Sequence, residues 1–311
     1  MGKYRHIFGP VLSRRLGLSL GIDLIRHKTC TLNCVYCECG RTTILTDKRD
    51  EYLNTSEIIA ELSDFLKNLP HLDYLTFSGS GEPTLHSGIG EIINFIKTTY
   101  PHYKVALLTN GTLFNDDKLI EEVKRADLII PSLDAATQEV FEKINRPASG
   151  MKIENVISGL IKLRKNYPGL IYLEIFIAPG FNDSESEISH IAEAAKRIRP
   201  DKIQLNSLDR PPAVQGIKKA EYKDLLRIAS FFEPVAEIIS KYDQKKSSLD
   251  YGDIENLILE MISRRPCTRD EIRILFDLRM KEVDSVLDRL LEDKKIEIIN
   301  GPRGDYFRVN N

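Results

Sequence analysis

The chain lacks most of what would remove it from water or brace it covalently. No apolar run approaches the ~20 residues a bilayer-spanning helix needs, which excludes a membrane-spanning class. Neither sign of charge dominates: 44 Lys and Arg stand against 46 Asp and Glu, a net −2. That balance excludes a globally basic nucleic-acid binder. Residues 1–10 carry Lys3, Arg5 and His6 but no apolar stretch, so they do not read as a signal peptide, and a cytoplasmic location is expected. Low-complexity segments are absent. Cysteines number five, an odd count that, without a secretory signal, argues against a disulfide framework.

What is present fits a soluble globular protein. Hydrophobic residues make up 42% and charged residues 29% of 311. At about 150 residues per domain, the length suggests two domains and a core that needs no staples. The charge is uneven. Residues 1–50 hold nine Lys and Arg against four Asp and Glu; residues 250–311 hold eleven against fourteen. The basic segment suits either an anionic ligand or a solvated face.

Periodicity predicts alternating strands and helices. Strands are expected within 16–25, 72–78, 103–109, 127–132, 171–177 and 202–207. Helices are expected at 55–68 (opened by Asn54 or Thr55), 87–99, 115–125, 152–166, 185–198 and 219–243. Six β-then-α units imply parallel strands with right-handed crossovers, as an open doubly wound sheet or an incomplete barrel. Both gather chemistry at the C-terminal ends of the strands. Residues 244–250 read as a linker. Helices at 253–264, 268–276 and 279–292 follow, then strands at 295–299 and 305–309 around the turn signal Asn300-Gly301-Pro302-Arg303-Gly304. Three helices and a hairpin predict a winged helix-turn-helix over 251–311, after a first domain over 1–243.

Four of the five cysteines fall within ten residues: Cys30, Cys34, Cys37 and Cys39; Cys267 is distant and reads as structural. Cys30-Thr-Leu-Asn-Cys34-Val-Tyr-Cys37 follows the first predicted strand. Three thiolates so close can converge on one metal centre. On a four-iron cluster, three protein ligands leave one iron open. Zinc competes, because Cys39 offers a fourth thiolate, although structural zinc sites usually split their ligands into two distant pairs.

This loop, with an aromatic residue before the third cysteine and a six-fold βα array behind it, resembles the radical S-adenosylmethionine (radical SAM) enzymes over residues 10–240. The resemblance implies a partial (β/α)6 TIM-like barrel. It implies that Cys30, Cys34 and Cys37 bind a 4Fe–4S cluster, and that S-adenosylmethionine chelates the open iron. Reduction then cleaves the sulfonium to a 5′-deoxyadenosyl radical. The protein's part is to position and shield this chemistry. An oxidoreductase-type enzyme is implied, fed by an electron donor such as a flavodoxin or ferredoxin.

Further positions match the family residue by residue. Tyr36 occupies the aromatic position near the adenine. Ser78-Gly79-Ser80-Gly81-Glu82-Pro83 resembles the Gly-Gly-Glu-Pro motif, whose backbone meets the methionine ammonium, with Ser80-Gly81 for the usual glycine pair. The resemblance assigns Ser132 and Asp134 to the ribose hydroxyls, with helix capping the alternative for Asp134. Asn110 is a similar case. Arg146 is a partner for the methionine carboxylate, or a surface arginine. Glu174, mid-strand in an apolar run, is either paired on the sheet or directed into the site.

A narrower likeness, carried by Phe8 to Asp23 and Gln204 to Pro212, is to proteins related to wybutosine synthesis on transfer RNA. Those carry a second cluster, for which this chain has no cysteine set. Arg14, Arg15, Arg26, Lys28 and Arg41 flank the cysteine loop and suit a phosphate-bearing substrate or the negative charge of a cluster. The presumed recognition helix, 281–292, carries four acidic residues against two basic. That leans toward a peptide or protein substrate over transfer RNA, since an RNA reader needs a basic face. Activation of a partner enzyme is a further option. The competing class is an iron–sulfur redox sensor acting through the winged helix, which would have no use for a nucleotide pocket.

Overall fold

The computed structural model describes residues 4–26, 28–239, 254–276 and 280–310. The elements run β1 (Ile7–Ser13), β2 (Gly17–Ile22), β3 (Thr29–Cys30), β4 (Ile44–Leu45), α1 (Thr55–Leu66), β5 (Tyr74–Phe77), α2 (Ile89–Thr99), β6 (Lys104–Thr109), α3 (Asp117–Val123), β7 (Leu128–Pro131), α4 (Gln138–Ile144), α5 (Ile153–Asn166), β8 (Leu170–Ile177), α6 (Glu185–Ile198), β9 (Lys202–Ser207), α7 (Tyr222–Ala229) and β10 (Glu237–Ile238). Then come α8 (Ile254–Arg264), α9 (Arg269–Phe276), α10 (Met280–Glu292), β11 (Ile296–Gly301) and β12 (Gly304–Val309).

The central sheet has eight strands in the order β1-β2-β5-β6-β7-β8-β9-β10. Every pair from β2 to β10 is parallel, and β1 lies antiparallel on β2. This is the α/β architecture expected from the alternation.

The two faces of the sheet differ. Leu20, Ile22, Leu75, Phe77, Val105, Leu107, Leu173, Ile175, Ile203 and Leu205 join the large apolar core under the helices. Helix α1 shows how: Asn54 caps it by accepting from Ser56 N and Glu57 N, and Ile58, Leu62 and Leu66 bury one stripe. The alternate residues, at period 2, point to the opposite face. That face carries Ser19, Thr76, Glu174 and Asn206, which line a cavity, with a small apolar cluster of Leu16, Ala106, Leu128 and Ile130.

The structure departs from the sequence reading at several elements. Strand β1 was not expected; its Gly9-Pro10 pair reads as a breaker, and the strand accommodates it at an irregularity between Phe8 and Val11. Helix α4 was not expected either. Of the helix predicted over 219–243, the described residues, which reach 239, form Tyr222–Ala229; Pro234, with no N–H to donate, bars its continuation. A two-residue strand, β10, takes up part of the remainder. The predicted linker 244–250 lies outside the described residues.

In the C-terminal segment, β11 and β12 pair as an antiparallel hairpin. Helices α8 and α9 lie against β1. Thr268 and Glu271 form a capping box at α9: Thr268 N donates to Glu271 Oε2 at 3.0 Å, and Glu271 N to Thr268 Oγ1 at 3.3 Å.

Candidate active site

The cysteine loop is held at its start and in its middle. Its start, β3, pairs with β4, and Glu82 N donates to Thr29 O at 3.1 Å. Its middle is held by the turn after α4: Asn33 N reaches Asn145 O and Arg146 O, and Val35 N reaches Ile144 O at 2.9 Å. Arg146 adopts φ 47° there, and its side chain is exposed. Cysteines 30, 34, 37 and 39 are all partly buried.

Each of the three motif sulfurs meets an N–H donor. Leu32 N and Asn110 Nδ2 both lie 3.5 Å from Cys30 Sγ, Asn145 Nδ2 lies 3.4 Å from Cys34 Sγ, and Lys28 Nζ lies 2.9 Å from Cys37 Sγ. Such donors stabilise thiolate character and tune a cluster's potential. Cys37 is pulled down to about 5, first by the hydrogen bond from the Cys39 thiol and then by the Lys28 ammonium. Burial pushes Cys30 up to about 11. The Cys39 thiol also lies 3.7 Å from Gly79 O.

Among the described residues, no three His, Cys, Asp or Glu side chains gather closely enough to hold a single metal ion. In a polynuclear cluster each thiolate sits on a different iron, so the ligands stand around it instead of meeting at a point. Three thiols with N–H donors therefore fit an iron–sulfur cluster in donor chemistry.

The strand-end motif abuts this loop. A Cβ on Gly81 would stand 1.9 Å from Thr29 O, and one on Gly79 would stand 2.3 Å from the Asp23 carboxylate. Only glycine permits that approach. Ser80 is buried and donates from N and Oγ to Asp23 Oδ2 at 3.3 and 3.1 Å. Glu82, 2% exposed, accepts from Thr84 N, Thr84 Oγ1, Thr109 Oγ1 and Asn110 N. Burial raises its carboxyl above the usual range, and these donors oppose the rise. Glu82 thus ties the end of β6 to the turn after β5.

Tyr36, Asn110, Ser132 and Asp134 come together around a cavity of about 40 Å³. The Asp134 carboxylate is fully engaged: Oδ1 accepts from Phe176 N at 2.9 Å, while Oδ2 accepts from Asn145 Nδ2 at 2.8 Å and from the Tyr36 hydroxyl. Asp134 caps no helix; Glu187 takes the Ala136 and Thr137 amides before α4 instead. The Tyr36 ring stacks on Phe176 at 3.8 Å. Asn145, which touches both Cys34 and Asp134, was missed. It lies 111 residues from Cys34, and no local spacing signals it.

A second cavity, of about 310 Å³, opens against Tyr36, Cys37, Cys39 and Gly79 on one side and Glu174, Phe176 and Asn206 of the sheet on the other. Glu174 resolves both ways: it lines this cavity and pairs with Arg15. The basic group of the sequence reading separates. Lys28 meets Cys37, Arg14 and Arg15 line the cavity, Arg26 donates to Tyr52 O at 3.1 Å, and Arg41 is exposed.

Arg210 lies in the stretch Gln204 to Pro212, and nothing in the sequence marks it as a site residue. It is 2% exposed and joins three segments. Its backbone N and Nη1 donate to Glu38 at 3.1 and 2.9 Å, Nε donates to Pro266 O at 3.1 Å, and Nη2 donates to Glu271. The C-terminal segment is thereby connected to the residue between Cys37 and Cys39. Burial and the Glu271 carboxylate push the Cys267 thiol up to about 12, in keeping with a structural role.

The Radical SAM superfamily profile matches residues 24–192. A Helicobacter pylori protein named UPF0026 is 33% identical over 94% of this chain and 94% of its own length. A Brachyspira hyodysenteriae protein named GTPase Obg is 35% identical over 96% of this chain, which spans 45% of that protein. Among solved structures, a radical SAM methyltransferase from Sphaerobacter thermophilus shares the fold with a TM-score of 0.55, at 14% identity over 73% of this chain and 67% of its own. No helix among the described residues is long and apolar enough to cross a membrane. In sequence and in fold alike, the chain belongs to the radical SAM superfamily of enzymes, whose cofactors are a 4Fe–4S cluster and S-adenosylmethionine, and it shares a family with the UPF0026 proteins.

Proposed function

We propose that this enzyme modifies a macromolecular substrate, a peptide or protein in preference to transfer RNA. Cys30, Cys34 and Cys37 would hold a 4Fe–4S cluster, which with S-adenosylmethionine would supply radical chemistry for hydrogen abstraction from that substrate. The observation that supports the radical chemistry is the placement of the cysteine loop: N–H donors face all three sulfurs, and Cys37 borders a cavity of about 310 Å³.

The chain's own residues have the following roles in this proposal. Leu32 N, Asn110, Asn145 and Lys28 hold thiolate character on the ligands. Gly79, Ser80 and Gly81 present backbone to the methionine end of the cofactor, and Glu82 fixes that turn. Asn110 and Ser132, which line the smaller cavity, would meet the nucleoside. Asp134 serves by holding Tyr36 and Asn145 in place. Arg146, exposed, contributes the backbone carbonyl that anchors Asn33. Phe176, stacked on Tyr36, and the polar sheet face wall the larger cavity.

The proposed architecture is a partial (β/α)6 barrel over 1–243 and a winged helix over 251–311. The acidic excess of 281–292 supports a protein-facing role for that module. The likeness to wybutosine-related proteins supports transfer RNA as the alternative. The test is anaerobic reconstitution with iron and sulfide, then incubation with S-adenosylmethionine and dithionite, with 5′-deoxyadenosine quantified. Host peptide and transfer RNA pools are added in separate arms. Stimulation by the peptide arm is expected; stimulation by transfer RNA alone would reverse the preference. No product in any arm would remove the proposed chemistry.

A further inference from the structure

The larger cavity is rich in arginine. Four arginines line it: Arg14, Arg15, Arg210 and Arg265. Arg210 is held by Glu38 and Glu271, and Arg15 by Glu174. Arg14 lies 3.7 Å from Asp209, a carboxylate also approached by Arg210 at 3.8 Å and by Arg303 at 3.1 Å. Arg265 has neither an ion pair nor a side-chain hydrogen bond among the described residues. Among the described residues that line or border this cavity, Arg265 is the arginine without a direct ion pair.

The position of Arg265 is set firmly. The next residue, Pro266, gives its carbonyl to Arg210 Nε, and Cys267 exchanges both backbone hydrogen bonds with Phe307 of β12. The arginine itself is only partly exposed. A guanidinium lining a cavity without a direct ion pair offers its fork to an entering oxyanion. Arg14 and Arg265 both act electrostatically on Glu38, so they approach the same part of the cavity from opposite ends of the sequence.

We propose that Arg265, with Arg14 beside it, recognises an oxyanion on the substrate, a carboxylate or a phosphate, and is a specificity determinant contributed by the C-terminal segment. A guanidinium fork matches either group. The meaning of the cavity rests on the proposed function, but the anion binding does not.

The experiment is calorimetric titration of the reconstituted, S-adenosylmethionine-loaded protein with inorganic phosphate in one arm and succinate in the other. Wild type should bind at least one probe, and the stronger arm names the group. Arg265→Gln should weaken that binding about tenfold, and Arg265→Lys by less, because the charge is kept. Cofactor affinity should stay within about twofold in both variants. Three results would overturn the proposal: wild type binds neither probe, Arg265→Gln binds both as wild type does, or Arg265→Gln loses affinity for S-adenosylmethionine itself. The last would assign the arginine to the cofactor's carboxylate. Anion binding as expected in a protein that forms no 5′-deoxyadenosine would leave this site standing and remove the proposed function.

Discussion

Replacing Arg210 by methionine should loosen the C-terminal segment from the cysteine loop. The guanidinium is 2% exposed and serves Glu38, Glu271 and Pro266 O together. Breaking a buried ion pair by removing one partner costs about 3–5 kcal/mol, since the other charge is left behind. Two features place this case at the lower end. Glu271 keeps Arg303 at 3.0 Å, and the Glu38 side chain is 23% exposed. The expected loss is therefore about 3 kcal/mol, roughly 5 °C in Tm for a chain of this length. Glu271→Gln keeps hydrogen-bonding capacity and should cost about 1 kcal/mol. The double variant should show a coupling of about 1–2 kcal/mol, because the residues share one network. The assay is urea unfolding of the anaerobic apoprotein, followed by circular dichroism, for wild type, both single variants and the double. An Arg210→Met cost below about 1 kcal/mol, or strict additivity, would refute the inference that these side chains form one connected clamp.

Three further outcomes follow from the same geometry. Gly81→Ala places a methyl 1.9 Å from Thr29 O, so the cysteine loop must move; reconstituted iron content should fall well below wild type, and a variant with full iron would contradict the close packing. Asn145→Ala removes the N–H facing Cys34 Sγ, which should shift the cluster's midpoint potential to more negative values in an EPR-monitored redox titration; a more positive value would count against that donor. Tyr36→Phe keeps the stack on Phe176 but removes a donor to Asp134, a loss of about 1.5–3 kcal/mol in urea unfolding. Tyr36→Leu should cost about 1 kcal/mol more through the lost ring contact.

The parallel strands were legible as short apolar runs set between helical patterns, and some also alternate between two different faces. In β8, Leu173, Ile175 and Ile177 go to the helix side, while Glu174 and Phe176 face the cavity. The cysteine loop and the strand-end glycines were legible because their chemistry is local: three thiols within eight residues, and glycines where backbone meets backbone. Pro234 was an available signal that the helix predicted through 243 should stop early. The rest is long-range. Asn145 reaches Cys34 across 111 residues, and Arg210 reaches Glu38 across 172. Neither partner is marked by periodicity or spacing. Asp134 was read as a ribose ligand or a cap, since a single sequence gives no sign that Tyr36, Asn145 and Phe176 N would fill its carboxylate.

The account rests on three cysteines, and not Cys39, carrying a cluster with an open coordination position. Iron analysis and EPR of the anaerobically reconstituted, dithionite-reduced protein, with and without S-adenosylmethionine, test this most directly. The account predicts about four irons per chain and a reduced-cluster spectrum that changes on adding S-adenosylmethionine. It predicts loss of both in Cys34→Ala and retention of both in Cys39→Ala. A cluster that vanishes with Cys39, or a spectrum indifferent to S-adenosylmethionine, would contradict it.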